Sequence, residues 1–350
     1  MKVMPNKLFK RTAPPSAGLP LNAGVRPLVM DQREIDIFED LFYADLESWF
    51  SADIACCDNC YDEFISDWPH AYGANEAEFQ KNGIPLDVFY SGGRLQQTYT
   101  QEEFSALVCQ LVCPRCLSNL KYNIWAYELP FDVPHNFGSN VDAIVKTATS
   151  TPFLLLKNDF CKEVLSAISD LAGRSKKRKF SDPLFRGRAT SNGPVAQELG
   201  QFGSAPKEFV LEGRYNHAGM PVLYLASDLQ TCHSELRGVA CTVLEFILTE
   251  SIHVLDLIDP YSQHRGHDDL LNSLVYSALL SAKQHSEGHF RPHYVVSRFV
   301  ADCARYSGFQ AILYPSTRNS EKNFNLVVLD PEVHLLKHST GHRYHVLAGA

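Results

Sequence analysis

Hydrophobic positions in the first half of the chain recur at helical spacing. In residues 31–50, apolar side chains return every third or fourth position among acidic ones, which predicts a helix with one face in a core. The same spacing predicts a helix over residues 154–172, whereas residues 134–151 are polar and turn-rich. The aromatic run at residues 121–129 is typical of a strand. We therefore expect a mainly helical first half.

From Pro183 the pattern changes to short apolar runs separated by Gly, Pro and Asn, which predicts strands. Residues 231–239 and 267–284 are predicted to be helices between them. This mixture indicates an α+β domain with a largely antiparallel core. The predicted strands are residues 183–190, 222–226, 241–248, 252–257, 311–316 and 325–330.

A chain of 350 residues exceeds the usual size of a single core, so two domains are expected. Residues 1–29 lack periodicity and are predicted to be a loose arm, followed by an N-terminal domain at 30–175 and a second domain at 180–345. Between these domains, residues 174–179 hold five Arg or Lys side chains. Such a run could contact phosphates or serve as a nuclear address, but an exposed linker is the favoured interpretation.

Charge and hydropathy exclude some classes of protein. The net charge of −8 disfavours a general nucleic-acid-binding protein. No apolar run reaches 18 residues, and the basic N-terminus lacks the apolar core of a signal peptide, so we expect a cytoplasmic protein that does not span a membrane. In that reducing setting, ten cysteines favour metal ligands or buried thiols over disulfides.

Four of these cysteines form two C-x2-C pairs, and such pairs can hold Zn²⁺ with tetrahedral thiolate ligands. The gap of 52 residues between the pairs exceeds the roughly 15–20 of a compact zinc ribbon, although a long insertion costs little loop entropy. Four thiolates leave no position for water, so the predicted zinc is structural. Reduced structural cysteines are the alternative, and the neighbours Cys56 and Cys109 could substitute as ligands. The predicted ligands are Cys57, Cys60, Cys113 and Cys116.

Residues 213–235 place one arginine, two tyrosines and a glutamate within one short stretch. With FRGR (185–188), EGRYN (212–216), PVLYLA (221–226), YPSTR (314–318) and a later NLVVLD, this stretch resembles the RES domain over about residues 180–338. The resemblance implies a fold like that of ADP-ribosyltransferase toxins, with a mixed sheet, and degradation of NAD⁺ by hydrolysis or phosphorolysis. Small family members pair with a helix-turn-helix antitoxin that covers the active site. The long N-terminal half departs from those members.

The resemblance also assigns roles to individual residues. Arg188 competes with Arg186 for the position of the first family arginine, and the sequence leaves the choice open. Expected catalytic residues are Arg214, Glu235 and Ser316, and expected substrate-binding residues are Arg186, Tyr215, Tyr224 and Asn325.

The chemistry of NAD⁺ cleavage suits these residue types. Nicotinamide leaves as a neutral ring, so a carboxylate such as Glu235 is needed only to hold the ribose and stabilise its developing positive charge. Arginine forks such as those of Arg186 and Arg214 suit a pyrophosphate, and a tyrosine face suits the pyridinium. Ser316 offers a hydroxyl donor, without a motif that marks it as a nucleophile. Because dinucleotide-fold and P-loop glycine motifs are absent from the sequence, NAD⁺ would be consumed rather than recycled.

The sequence therefore predicts an NAD⁺ glycohydrolase that could act as a toxin or defence effector. An NAD⁺ phosphorylase and an ADP-ribosyltransferase are alternatives within the same chemistry. A zinc-stabilised module that binds a nucleotide or a partner without catalysis is the alternative from another class. An antitoxin or immunity protein is the expected partner, and a homo-oligomer stays open.

Overall fold

The structure is a computed structural model, and it describes most of the chain outside the predicted arm at 1–29. The described residues are 31–50, 52, 54–67, 83–127, 132–134, 136–190, 198–258, 267–275, 277, 294–316, 323–330 and 339–348. Among them no helix is both long and apolar enough to cross a bilayer.

The first part of the chain packs helices around a small antiparallel sheet. Its sheet has the strand order β1-β3-β2, with Cys57 of β1 and Ile84 of β2 both opposite Ile124. The helix predicted at residues 31–50 is confirmed, and it buries Phe38 and Phe42. The elements are α1 (Gln32–Phe50), β1 (Ile54–Cys57), α2 (Tyr61–Asp67), β2 (Ile84–Pro85), α3 (Leu86–Gly92), α4 (Gln101–Val108) and β3 (Asn123–Tyr127).

Two further helices, α5 (Phe137–Ser150) and α6 (Asp159–Arg174), follow this sheet. The first of them lies in the stretch that the sequence analysis interprets as polar and turn-rich. The helix was not predicted because its apolar face is only a narrow stripe among small polar residues, formed by Phe137, Val141, Ile144 and Val145. The helix predicted at 154–172 starts later, at Asp159, after a 3₁₀ segment at Pro152–Lys157. The side chain of Asn158 caps it and explains the later start, since its oxygen accepts the N–H of Phe160 at 2.9 Å.

The second part of the chain is built on a seven-stranded sheet of order β10-β6-β4-β5-β9-β8-β7. Among the described strands only β7 and β8 run parallel, so the predicted antiparallel core and all six predicted strands are confirmed. The sequence did not predict the last strand or the helix that begins at Val295. The elements are β4 (Leu184–Ala189), β5 (Leu223–Ala226), α7 (Leu229–Glu235), β6 (Cys241–Phe246), β7 (Val254–Asp256), α8 (Asp268–Val275), α9 (Val295–Tyr306), β8 (Ala311–Pro315), β9 (Phe324–Val328) and β10 (Ser339–Val346).

The two faces of this sheet are covered differently. Alternate residues of a strand point to opposite faces of the sheet. Leu225 and Leu326 point to the face that we call the far face, where they pack in one cluster with Phe202. On the near face, Tyr314 and Val327 join a core cluster that also takes in α5, α6, α9 and the N-terminal helices. The near face of the strands β5, β9 and β8 therefore lies beneath the helical part of the protein.

The basic run at residues 174–179 is exposed, as predicted, but its backbone is held in place. Arg178 exchanges two backbone hydrogen bonds with Ile252, of 2.8 and 2.9 Å, just before β7. The Arg178 guanidinium also pairs with Asp256 at 2.7 Å. The run thus extends the edge of the large sheet, and its role as a boundary between two domains stays a prediction.

Candidate functional site

Three strand ends meet where the chain enters α7. Ala226, the last residue of β5, lies opposite Asn325 of β9, and Asn325 lies opposite Tyr314 of β8. The chain then turns into α7 because Asp228 caps the helix and accepts the N–H of Thr231 at 2.8 Å. This arrangement brings the last residue of α7, Glu235, back over the ends of β8 and β9.

The Glu235 carboxylate is oriented by two buried side chains. Its Oε1 accepts hydrogen bonds from the Ser316 hydroxyl at 3.1 Å and from the Asn325 amide at 2.7 Å. Ser316 and Asn325 are 5% and 4% exposed, whereas Glu235 is exposed. An exposed carboxylate that two buried donors orient can meet a ligand.

The position of α7 relative to the strands is fixed by a second set of contacts. The side-chain amide of Asn323 donates a hydrogen bond to the Thr231 hydroxyl at 3.0 Å, and its backbone carbonyl accepts the Ser316 N–H at 2.9 Å. One residue therefore ties the helix bearing Glu235 to the strand end bearing Ser316.

The GRYN block forms a tight turn with Tyr224 as its support. The Tyr224 hydroxyl accepts the Tyr215 N–H at 3.0 Å and donates to the side-chain oxygen of Asn216 at 3.1 Å. A Cβ at Gly213 would lie 2.3 Å from that Asn216 oxygen, so only glycine fits there. Tyr224 and Asn216 thus hold the turn that carries Arg214.

The guanidinium of Arg214 lies over the rings of two tyrosines. Its Cζ is 5.7 Å from the centre of the Tyr294 ring and 5.8 Å from that of Tyr314. Within the part of the chain that the structure describes, this guanidinium makes no hydrogen bond and no ion pair. Burial works to lower the pKa of Arg214, but the surrounding tyrosine oxygens and Glu235 together raise it above the ordinary arginine value. Arg214 is therefore a permanent cation with donors to spare.

Tyr215 is buried beside this cation. Its ring centre is 4.7 Å from that of Tyr314, and only 1% of the residue is exposed. Burial raises its pKa to about 12, which Arg214 partly offsets. Both tyrosines predicted to contact substrate have structural contacts here. Tyr215 packs its ring against Tyr314, and Tyr224 supports the turn with its hydroxyl.

The structure does not bring Arg186 into this cluster. Its guanidinium donates to the carbonyl oxygens of Phe202 and Tyr224, both at 2.9 Å, and of Gly203 at 3.3 Å. Arg188 likewise donates to the carbonyl of Gly203, at 2.8 Å, and to that of Gln201 at 2.7 Å. Burial and the charge of Arg188 lower the pKa of Arg186 to about 9.

Alternation along β4 explains this separation. A Cβ at Gly187 would touch Leu236, so the odd-numbered positions of β4 face α7. Arg186 and Arg188 consequently point to the far face of the sheet. The residues that the structure brings together are Arg214, Tyr215, Tyr224, Glu235, Ser316 and Asn325.

The site also contains Tyr294, which the sequence does not single out, and Tyr314, which opens the YPSTR block but has no role expected from the sequence. Tyr314 lies in β8 two residues before Ser316, which directly follows that strand, so alternation from Ser316 could have indicated it. Tyr294 precedes α9, a helix that was not predicted, and no local signal connects it to Arg214.

The four predicted cysteine ligands form a second, separate cluster. All four sulfur atoms lie within 4.8 Å of one another, and all four residues are buried. The sulfurs of Cys57 and Cys116 are 3.6 Å apart and those of Cys60 and Cys113 are 3.8 Å apart, far from disulfide contact. Four sulfurs placed tetrahedrally at about 2.3 Å from a zinc ion would be about 3.8 Å apart. The cluster could therefore hold a metal ion.

The surroundings of the cluster hold its two pairs together. Asp58, inside the first pair, accepts the backbone N–H of Asn123 at 2.9 Å and its side-chain amide at 2.7 Å. Asn59 donates to Ser118 at 3.0 Å, just after the second pair. Cys56 and Cys109 lie outside the cluster, the first buried and the second exposed.

Comparison with known proteins gives one family match. Residues 183–346 match the family model described as RES domain. No curated protein matches the chain. Among solved structures, this chain is similar to a chain in the crystal structure of the M. tuberculosis MbcT–MbcA toxin–antitoxin complex. The two sequences are 16% identical, and the TM-score is 0.35. The match covers 52% of this chain and 92% of that chain.

Proposed function

We propose, on the premise that residues 183–346 match the RES domain model, that this protein hydrolyses the nicotinamide–ribose bond of NAD⁺. The observation that carries the proposal is the pairing of an exposed, oriented carboxylate with a cation that makes no hydrogen bond to any residue that the structure describes. Glu235 supplies the first and Arg214 the second.

Arg214 would bind the pyrophosphate. Its planar fork matches two phosphoryl oxygens, and its charge does not depend on pH in the working range. Because its described contacts are ring faces, a phosphate would not have to displace a protein acceptor. The substrate would gain charge-assisted hydrogen bonds at little cost in broken protein contacts.

Glu235 would act on the ribose. Its carboxylate is exposed and is oriented by Ser316 and Asn325, so it would face a ribose hydroxyl and the carbon that becomes electron-poor. Negative charge placed there stabilises an oxocarbenium-like transition state. In this role Ser316 and Asn325 are positioning residues, and no nucleophile is required.

The bond changes balance without a cofactor. The C1′–N bond breaks, and its electron pair neutralises the pyridinium, so nicotinamide leaves uncharged. Water adds to C1′, and its proton passes to solvent. The products are ADP-ribose, nicotinamide and a proton.

Arg186 has a different proposed role from the one expected for a substrate ligand. Its contacts with the carbonyls of Phe202, Gly203 and Tyr224 favour support of β5, the strand that carries Tyr224. We assign it to positioning, and Arg188 with it.

Product analysis tests the reaction. Purified full-length protein is incubated with NAD⁺, with and without inorganic phosphate, and the products are separated by chromatography. Free ADP-ribose supports hydrolysis, ADP-ribose-1″-phosphate supports phosphorolysis, and a modified polypeptide supports transfer. A folded protein that releases no nicotinamide would leave only a binding module.

We also propose that the cysteine cluster holds one structural Zn²⁺. The distances between its sulfurs and their burial fit four thiolate ligands. Cys57, Cys60, Cys113 and Cys116 would bind the ion, which would cross-link β1 to the segment before β3 and leave no open position for chemistry. Metal analysis that finds well under one zinc per chain would refute this.

A toxic or defensive role and a protein partner covering the site are further parts of the proposal. The support is the family resemblance, together with the exposed apolar side chains of Phe209 and Leu211 next to the turn that carries Arg214. Expression of the wild type should deplete cellular NAD⁺ and arrest growth, and expression of Glu235→Gln should not. Normal growth with depleted NAD⁺ would argue against a toxin.

A further inference from the structure

The rings of Tyr294 and Tyr314 both contact the guanidinium of Arg214 in the candidate site. We propose that these two tyrosines form a clamp that positions Arg214, so that its N–H donors are presented to an anionic group of the substrate. The inference rests on the proposed function for the identity of that group, a pyrophosphate. It adds two positioning residues that neither the family match nor the motifs assign.

The kind of contact matters because it leaves hydrogen-bonding capacity unused. A guanidinium over a ring is attracted by the electron-rich face and spends no N–H donor. Arg186 shows the contrasting case in the same domain, since three of its donors are used on backbone carbonyls. Arg214 is held by rings alone among the described contacts, so its fork stays available for a ligand.

The clamp is also backed by the sheet. Tyr314 lies in β8, is 6% exposed and packs against Tyr215 at 4.7 Å between ring centres. Tyr215 is in turn held through its N–H by the hydroxyl of Tyr224 in β5. A continuous set of packed groups thus runs from two central strands to the guanidinium, which otherwise has large rotamer freedom.

Tyr294 supplies the second ring of the clamp from a different element. It directly precedes α9 and is only partly buried, unlike Tyr314. A substitution of Tyr294 therefore removes one ring from Arg214 with little disturbance of the core. This makes it the better position for a test.

The two charged groups of the site are held by different side chains, Arg214 by tyrosine rings and Glu235 by a serine and an asparagine. Arg214 and Glu235 form no ion pair within the described residues, although the glutamate contributes to raising the pKa of the arginine. An ion pair would have to be broken when substrate binds. Held by rings instead, the cation can meet a phosphate while the carboxylate meets the ribose.

The experiment measures pyrophosphate binding by calorimetry and steady-state NAD⁺ cleavage for the full chain. Tyr294→Leu should weaken pyrophosphate binding about 3- to 30-fold, the range expected for loss of one cation–π contact. It should raise KM for NAD⁺ by a similar factor and change kcat less. Tyr294→Phe keeps the ring and should bind within threefold of the wild type. Tyr306→Leu, an exposed tyrosine at the other end of α9, is the matched control and should bind as the wild type does.

The outcomes separate this inference from the proposed function. Pyrophosphate binding that weakens in Tyr294→Leu and is retained in Tyr294→Phe supports the clamp, even if NAD⁺ is not cleaved. Unchanged binding in Tyr294→Leu overturns the clamp, even if NAD⁺ is cleaved. If Tyr294→Phe binds as weakly as Tyr294→Leu, the hydroxyl matters rather than the ring, and the clamp is wrong. A folded wild-type protein that binds no pyrophosphate also overturns it.

Discussion

Replacement of Glu235 by glutamine removes one negative charge from the candidate site and keeps the shape of the side chain. In the native site, Oε1 accepts from the Ser316 hydroxyl and the Asn325 amide. A glutamine can still accept through its one oxygen, so the side chain should stay in place. Because Glu235 is exposed, the free energy of unfolding should change by less than about 1 kcal/mol.

The expected loss of activity follows from what the charge would do. Removing one preorganised group that stabilises charge in a transition state costs about 2.7–4 kcal/mol, or about 10²–10³ in kcat. Pyrophosphate binding at Arg214 does not involve this carboxylate, and glutamine keeps a polar group that can bond a ribose hydroxyl, so KM for NAD⁺ should change less than about threefold. Glu235→Gln should therefore lower kcat strongly and KM hardly at all.

The assay follows nicotinamide release by chromatography, with melting temperature as the test of folding. Glu208→Gln is the matched control, because Glu208 is an exposed glutamate in a short 3₁₀ segment and makes no contact with Ser316 or Asn325 among the described hydrogen bonds. It should retain wild-type kcat and KM. If Glu235→Gln cleaves NAD⁺ within tenfold of the wild-type kcat, the assignment of Glu235 is wrong.

Three further predictions concern the turn, the cation and the metal. Arg214→Lys keeps the charge but loses the fork, so KM for NAD⁺ should rise about 10- to 100-fold in steady-state assays with little change in melting temperature; an unchanged KM would contradict pyrophosphate binding there. Gly213→Ala places a Cβ 2.3 Å from an asparagine oxygen of the same turn, so it should lower the free energy of unfolding in urea by about 1–3 kcal/mol. Gly200→Ala is the control, because a Cβ there meets open space, and its free energy of unfolding should stay within about 0.5 kcal/mol of the wild-type value. Cys60→Ser should abolish zinc retention and lower the free energy of unfolding by about 3 kcal/mol or more. Cys109→Ser, at an exposed cysteine outside the cluster, should keep the zinc content and the free energy of unfolding of the wild type. Equal zinc content in the two variants, measured by metal analysis, would refute the site.

Sequence pattern predicted the elements whose signal is local. The six strands of the second part follow runs of apolar residues bounded by turn residues, and α1 follows a regular apolar stripe. The helix α5 was missed because its buried face, from Phe137 to Val145, is narrow and its other positions are small and polar. Tertiary packing, rather than helix propensity or a broad stripe, stabilises it.

The candidate site shows the same division between local and distant information. The spacing of each cysteine pair is local and predicted the ligands, but their meeting depends on pairing of β1 with β3 and on Asp58. The motif blocks predicted Glu235 and Ser316, which the strand ends bring together. The partners of Arg186 are carbonyl groups 16 or more positions away, and no spacing in the sequence reports such contacts.

The contacts of Arg186 have a consequence for the sheet as a whole. β4 and β5 are joined by a single residue pair, Phe185 with Ala226, and beyond it an arginine side chain fills the place of the missing backbone ladder by binding the Tyr224 carbonyl. The seven strands are thus two shorter sheets joined by one backbone pair and one side chain. Asn325 lies in β9, and Ser316 directly follows β8, which pairs with it. The other half, β10-β6-β4, has no backbone pairing with β8 or β9, so we expect substitutions on its far edge to leave the spacing of Ser316 and Asn325 unchanged.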